Sequence, residues 1–317
     1  MAKKGEQIYH CYNHALDWLD KHRELFNPLT SPSDDPSTEI YLTKALGELG
    51  LLCMLTSRST KDDLDPRIEH CLQLLLAIWQ QSHYYERVVR RPEYFQMYTM
   101  IYLVLQQCGI IPDTQKALIQ QVIDQGYVLA TETTPMRLLD RRHMLDCGQF
   151  RHDLPSYAEL YQQTLLAQTP ELVYLTDTDI YAITHTIFYL TDFGRISSPF
   201  LQGDHLTTIR GCIETLLGVY IRHKNWDLVG ELLLDCYCLH WYPEIIFDLA
   251  WTEISQHQLP DGSVPGPRYS QEKRGTLDDT AGEQYCFEEN YHTTIVNALA
   301  GILIYHDGET LTNQTEQ

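Results

Sequence analysis

DTDIYAITHTIFYLTDFG, residues Asp177 to Gly194, decides how this chain is read. Asp177 and Asp179 suit the start of a helix, where side-chain oxygens accept the free amides and complement the positive end of the dipole. Ile180, Ile183, Ile187 and Leu190 then recur at steps of three and four residues, with Tyr181, His185, Phe188 and Tyr189 on the remaining faces. A helix that is apolar nearly all round predicts burial between other elements, and Gly194 is expected as the C′ residue that stops it.

Working outward, the same plan repeats. Glu6 to about Phe26 reads as an amphipathic outer helix, and Asn27 to Pro36, with three prolines, as a loop. Ser37 or Thr38 caps a more apolar helix, and Pro66, Pro92, Pro112, Pro135 and Pro155 each start another. We count twelve helices in six pairs, an amphipathic member preceding a more apolar one. Gly50, Gly109, Gly148 and Gly194 are expected to end four of the inner members. Alternation of this kind predicts an all-α (α/α)6 barrel, or toroid, over residues 1–317, with loops at 27–37 and 257–287 and a flexible tail at 308–317. The rival arrangement is an open solenoid of helical hairpins.

The totals bound the function. Of 317 residues, 44% are hydrophobic, enough for a large core. No run approaches the ~18 apolar residues of a membrane span, and no secretory signal is read behind MAKKGEQIYH. Nine cysteines, an odd number set mostly in helical patterns, point to reduced thiols in the cytoplasm. A net charge of -20 argues against a nucleic-acid or anionic-membrane partner. Phosphate-cradling glycine loops, serine elbows and paired Cys-x-x-Cys sets are missing, which disfavours ATP-driven chemistry, serine hydrolysis and zinc fingers. The 21 tyrosines suit a cavity with aromatic walls and polar hydroxyls.

Gln258 to Gly266 (QLPDGSVPG) and Tyr291 to Gly301 (YHTTIVNALAG), preceded by IIFDLAWTEIS, resemble the closing repeat of protein prenyltransferase β subunits. That group, with the terpenoid cyclases, is built on an α/α toroid, so the resemblance implies that fold. It also implies a zinc ligand at His292, with Asp235 and Cys238 as the matching carboxylate and thiol, although the family's Asp-x-Cys spacing is not kept here. LDDTA, Leu277 to Ala281, resembles the acidic motif of class II terpene cyclases, with Thr276 in place of the first aspartate. The bland reading of this segment is an acidic loop or lid. The stretches HALDWLDKHRELFNP, FRHDLPSYAELY and DIYAITHTIFYLTDFG resemble an uncharacterised bacterial family associated with natural-product gene clusters.

Small molecules bind toroids at one mouth, among the inner-helix ends, which nominates polar residues near those ends. Tyr181 and His185 lie at i and i+4 and share a face, and an imidazole beside Tyr and Asp can move protons near neutral pH. The expected catalytic set is His185, Asp179, His292 and Asp235, with Tyr41, Tyr98, Tyr181, Tyr291, Arg137 and His152 binding substrate. Glu288 and His292, also at i and i+4, invite a carboxylate–imidazole pair. The expected function is cyclisation or condensation of a hydrophobic or aromatic small molecule in bacterial secondary metabolism. It would proceed by acid–base catalysis without a cofactor, zinc through Asp235, Cys238 and His292 being the alternative. A non-catalytic scaffold for a peptide or partner enzyme, or a zinc-dependent transferase or lyase, are the other readings, and a homodimer stays open.

Overall fold

The protein is described here by a computed structural model covering residues 2–29, 36–60, 64–81, 84–111, 115–169 and 171–315. Among these, fifteen α-helices and no strand are found. They are α1 (Ala2–Lys21), α2 (Pro36–Ser59), α3 (Pro66–Trp79), α4 (Arg87–Arg90), α5 (Phe95–Gln107), α6 (Lys116–Asp124), α7 (Tyr127–Ala130) and α8 (Pro135–Cys147). The chain continues with α9 (Tyr157–Tyr161), α10 (Asp177–Thr191), α11 (Gly203–His223), α12 (Trp226–Cys238), α13 (Glu244–His257), α14 (Gln271–Gly275) and α15 (Asp279–Thr315). Twelve correspond to the expected helices; α4 and α14, of four or five residues, are additional, and α7 is the end of the helix expected after Pro112, split off at Gly126 with φ 76°.

The starts follow local chemistry. Asp65 caps α3 by accepting the Arg67 amide with Pro66 at the first position, and Thr134 caps α8 ahead of Pro135 in the same way. The stops differ from expectation in two places. Gly50 lies in mid-helix, where a Cβ would stand 2.8 Å from a Leu75 methyl and 3.1 Å from one of Val104, so its missing side chain lets α2 approach α3 and α5. Helix α10 ends before Gly194, because Asp192 itself takes the left-handed cap conformation at φ 46° and Phe193 follows at 52°. The segment expected as a loop over 257–287 contains α14 and the start of α15, whose first turn is capped by Asp278 through the Ala281 amide at 2.8 Å. The LDDTA motif is therefore a helix start. Helix α15 also runs into the expected tail as far as Thr315. Most of the expected loop 27–37 and the last two residues lie outside the described residues.

The apolar helices pack on one another in order: α2 on α5, α5 on α8, α8 on α10, α10 on α12, α12 on α15, and α15 on α2. Among the amphipathic helices, α1 touches α3, α13 and α15, while α11 touches α12 and α13. Ser37–Ser59 of α2, although interrupted by charged residues, is long and apolar enough by length and composition to cross a membrane, and 67% of its most apolar 18-residue window is buried within the protein.

The Gln258–Gly266 loop fastens the chain's ends together. Gln258 Nε2 donates to the Cys11 carbonyl on α1 at 2.9 Å and to the Gly262 carbonyl at 2.8 Å. Val264 N and Gly266 N donate to Thr294 and Asn290 of α15. Gly262 has φ +96°, and a Cβ there would meet the His14 carbonyl oxygen at 2.2 Å. Gly262→Ala should therefore cost at least about 2 kcal/mol from backbone strain and displacement of α1. Chemical denaturation reads this out, and a stability equal to wild type would show that the loop does not hold α1.

Candidate functional site

Helix α12 carries Asp227, Glu231 and Asp235 at i, i+4 and i+8, three acids on one face of a helix buried along nearly its whole length. Burying a carboxylate is tolerated only where donors meet it. Two of the three are met from both sides. Asp227 Oδ2 accepts from the Tyr181 hydroxyl of α10, and its Oδ1 accepts from Thr293 Oγ1 of α15 at 2.9 Å. Glu231 Oε2 accepts from Thr184 Oγ1 at 2.6 Å and faces His185 Nδ1 at 3.3 Å, both on α10, while its Oε1 lies 3.9 Å from His292 Nε2 on α15.

His292 extends the network to α2. Its Nδ1 is 3.2 Å from Glu48 Oε2, its Nε2 is 3.7 Å from Asp227 Oδ1, and Lys44 Nζ holds the other Glu48 oxygen at 3.1 Å. The tight seam that allows this depends on Gly230, where a Cβ would fall 2.9 Å from the Asn297 amide nitrogen and 3.0 Å from a Val296 methyl. Tyr41 and Tyr291 meet edge to face at 5.7 Å beside Glu48, and the Tyr41 hydroxyl donates to the Glu288 carbonyl. On the α8 side, Tyr189 faces Asp140, and Arg137 Nη1 lies 3.5 Å from Asp140 Oδ2.

The charges are set by these contacts. Burial opposes ionisation of His292, but Glu48, Asp227 and Glu231 outweigh it and hold its pKa near about 10. Burial likewise opposes ionisation of Glu48, yet His292 and Lys44 bring it down to about 2. His185 is raised, Glu231 overcoming its burial, and Glu231 is lowered by His185, His292 and Thr184 against the cost of its own burial. Tyr181, Tyr41 and Tyr291 are pushed up by burial and by neighbouring carboxylates, so they remain neutral hydroxyl donors. The His292 side chain keeps 32% of its surface accessible, and those of His185 and Glu48 each keep 21%.

Tyr181, His185, Tyr291, His292, Tyr41 and Arg137 thus belong to one connected neighbourhood. The other expected residues do not join it. Asp179 closes a capping box with Thr176, accepting its amide at 2.8 Å and its hydroxyl at 2.7 Å, which lowers its pKa. Tyr98 donates to Glu39 at 3.2 Å, next to Arg87 and Tyr84. His152 binds Asp146 at the far end of α8, 3.0 Å away, and so pins a loop. Glu288 pairs with Gln284 and not with His292. Asp235 is 0% exposed and neither oxygen has a hydrogen-bond partner among the described residues; burial, and then Glu231, push its pKa well up, so it is a neutral acid. Asp235, Cys238 and His292 do not converge on a metal position; among the described residues the one set that does is His143, Cys147 and Asp192.

Glu48, Asp140, Asp227 and Glu231 were not singled out from the sequence. The available signal was acids at helical spacing inside WDLVGELLLDC, a helix otherwise too apolar to have a solvated face. Two cavities lie elsewhere. One of about 600 Å³ is lined by Ser57, Arg58, Gln107 and Cys108 at the ends of α2 and α5, and one of about 520 Å³ lies beside α3.

A family model described as a domain of unknown function, DUF6895, matches residues 12–302. No curated protein and no solved structure matches the chain.

The pairing of His292 has a definite pH signature. With a folded pKa of about 10 above an ordinary 6.5, its contribution to stability is complete below about pH 6.5 and is lost as pH rises through about 10. Glu48, lowered from 4.5 to about 2, contributes above about pH 4.5 and loses that contribution as pH falls toward 2. Thermal midpoints measured from pH 6 to 10 should fall more steeply in wild type than in His292→Asn, and parallel curves would refute the pairing. Asp179→Ala, by contrast, should lower the midpoint by only a few degrees without changing that slope, as loss of a cap does.

Proposed function

This chain belongs to the DUF6895 family, and we propose that it is an acid–base enzyme with an (α/α)6-toroid fold that cyclises or condenses a hydrophobic or aromatic small molecule. The toroid reading is supported by the order of helix contacts, which runs from α2 through α5, α8, α10, α12 and α15 back to α2. Within it the mouth is formed by the N-terminal halves of α8 and α12, with Arg137, Asp227 and Glu231, and by the middle of α2 and α10, with Glu48, Tyr181 and His185.

The observation that carries the functional reading is the convergence of two accessible imidazoles, from α10 and α15, on opposite oxygens of one buried carboxylate, Glu231. His292, charged at neutral pH, gives a proton from Nε2 to an unsaturated substrate carbon or carbonyl. Positive charge then develops on the substrate, where tyrosine faces and the carboxylates of α2 and α12 stabilise it. Bond formation within the substrate, or to a second substrate molecule, releases a proton. His292 or His185 takes it back, and Glu231 keeps both rings oriented. Arg137 suits an acidic group at the mouth, and the apolar-aromatic walls limit water at the reacting centre.

The test is a conversion assay. Extract from cells lacking the protein is incubated with it in deuterated water, and metabolites are compared by mass spectrometry. A consumed aromatic or polyunsaturated compound should yield a product with one solvent deuterium, and His292→Asn should reduce the rate at least ~100-fold while the fold is retained. Unchanged turnover in both His292→Asn and His185→Asn would remove the proton-transfer assignment.

A further inference from the structure

At the other end of α8 and α10 a second cluster takes no part in that chemistry. We propose that His143, Cys147 and Asp192 bind a divalent transition-metal ion, zinc by the character of the donors. His143 and Cys147 stand one turn apart on α8. Asp192, in the left-handed cap of α10, brings its carboxylate over them, and the three donor atoms lie within 4.8 Å of one another.

The geometry separates an ion site from a proton relay. In a thiol–imidazole–carboxylate relay the thiol and the carboxylate use opposite ring nitrogens. Here both crowd the same one: His143 Nε2 is 2.8 Å from Asp192 Oδ1 and 3.6 Å from Cys147 Sγ, while Nδ1 is 4.0 Å from the sulfur. Donors gathered around one point are what a cation needs. For tetrahedral zinc, with Zn–N of about 2.0–2.1 Å and Zn–S of about 2.3 Å, nitrogen and sulfur stand about 3.5 Å apart, close to the observed separation. The His143–Asp192 contact opens by roughly half an ångström to admit the ion.

The surroundings fit as well. Arg195 holds the second oxygen of Asp192, fixing the carboxylate from outside as outer-shell partners of a metal ligand do. Arg58, 3.4 Å from Oδ1, has room to withdraw into the cavity of about 600 Å³ that it lines, and Cys147 is only half-buried, so an ion has a way in. A thiolate and a carboxylate neutralise a divalent ion, so both arginines face an uncharged centre. Soft sulfur with imidazole nitrogen and one carboxylate oxygen selects zinc over magnesium or calcium, and three protein ligands leave a fourth position open.

Full-length protein without a histidine tag, stripped with a chelator and titrated with Co(II), gives the test. One equivalent should bind, with a thiolate-to-cobalt charge-transfer band and the strong visible bands of a four-coordinate ion. Cys147→Ser should abolish the charge-transfer band. His143→Gln and Asp192→Asn should weaken binding by more than the roughly 10–100-fold that an outer-shell partner is worth. Cys238→Ser should leave the spectrum unchanged. Circular dichroism confirms that each variant is folded, and zinc should raise the thermal midpoint of wild type as a readout free of substitutions. Absence of a thiolate band in wild type, its survival in Cys147→Ser, or its loss in Cys238→Ser would each overturn the assignment.

Discussion

Two buried anions on α12 set the terms for everything around them. Asp227 and Glu231 cannot be desolvated alone, and each is satisfied only by donors from both neighbours: Tyr181, Thr184 and His185 on α10, Thr293 and His292 on α15. Leucines in their place would fill the same space at lower cost, but would accept many relative positions of the three helices. Asp227, which takes the Tyr181 hydroxyl on one side and the Thr293 hydroxyl at 2.9 Å on the other, accepts one. The register of the interior is thus specified by charge, and the imidazoles that share those carboxylates inherit it. Through His292 and Glu48 the same specification reaches α2, separated from α15 by some 244 positions in the chain.

The helices were legible because their signals are local. Prolines at first turns, polar caps and three-and-four spacing recovered twelve of them. Gly50 misled because a glycine that ends a helix and a glycine that lets two helices touch look alike in sequence. Gly194 misled because Asp192 adopts the left-handed conformation two residues earlier, at φ 46°.

The site was legible in part. Tyr181 and His185 could be paired on one helix, and Tyr291 and His292 stood out against an apolar run. Asp179 was ambiguous in sequence because a capping carboxylate and a catalytic one occupy the same kind of position, and the Thr176 contacts show the cap. Glu231 and Glu48 define the site through partners 46 to 244 residues away, which no local spacing encodes. Asp235 is the converse case: the helical period places it on the right face, yet with no donor opposite it stays neutral and buried. Helix α10 thus joins two polar clusters, since it carries Tyr181 and His185 in its first and middle turns and delivers Asp192 at its end.

The seam between the first and last helices has a consequence for how the molecule comes into being. Tyr9 and Tyr12 pack against Tyr305, with ring centroids 5.4 and 5.7 Å apart, so α1 meets α15 only after all the intervening helices have been made. At a synthesis rate of about 5–20 residues per second, the apolar stripe of α1 is held open for tens of seconds, sheltered only by its neighbours or by a chaperone. The interval is an aggregation hazard that grows with anything that slows translation.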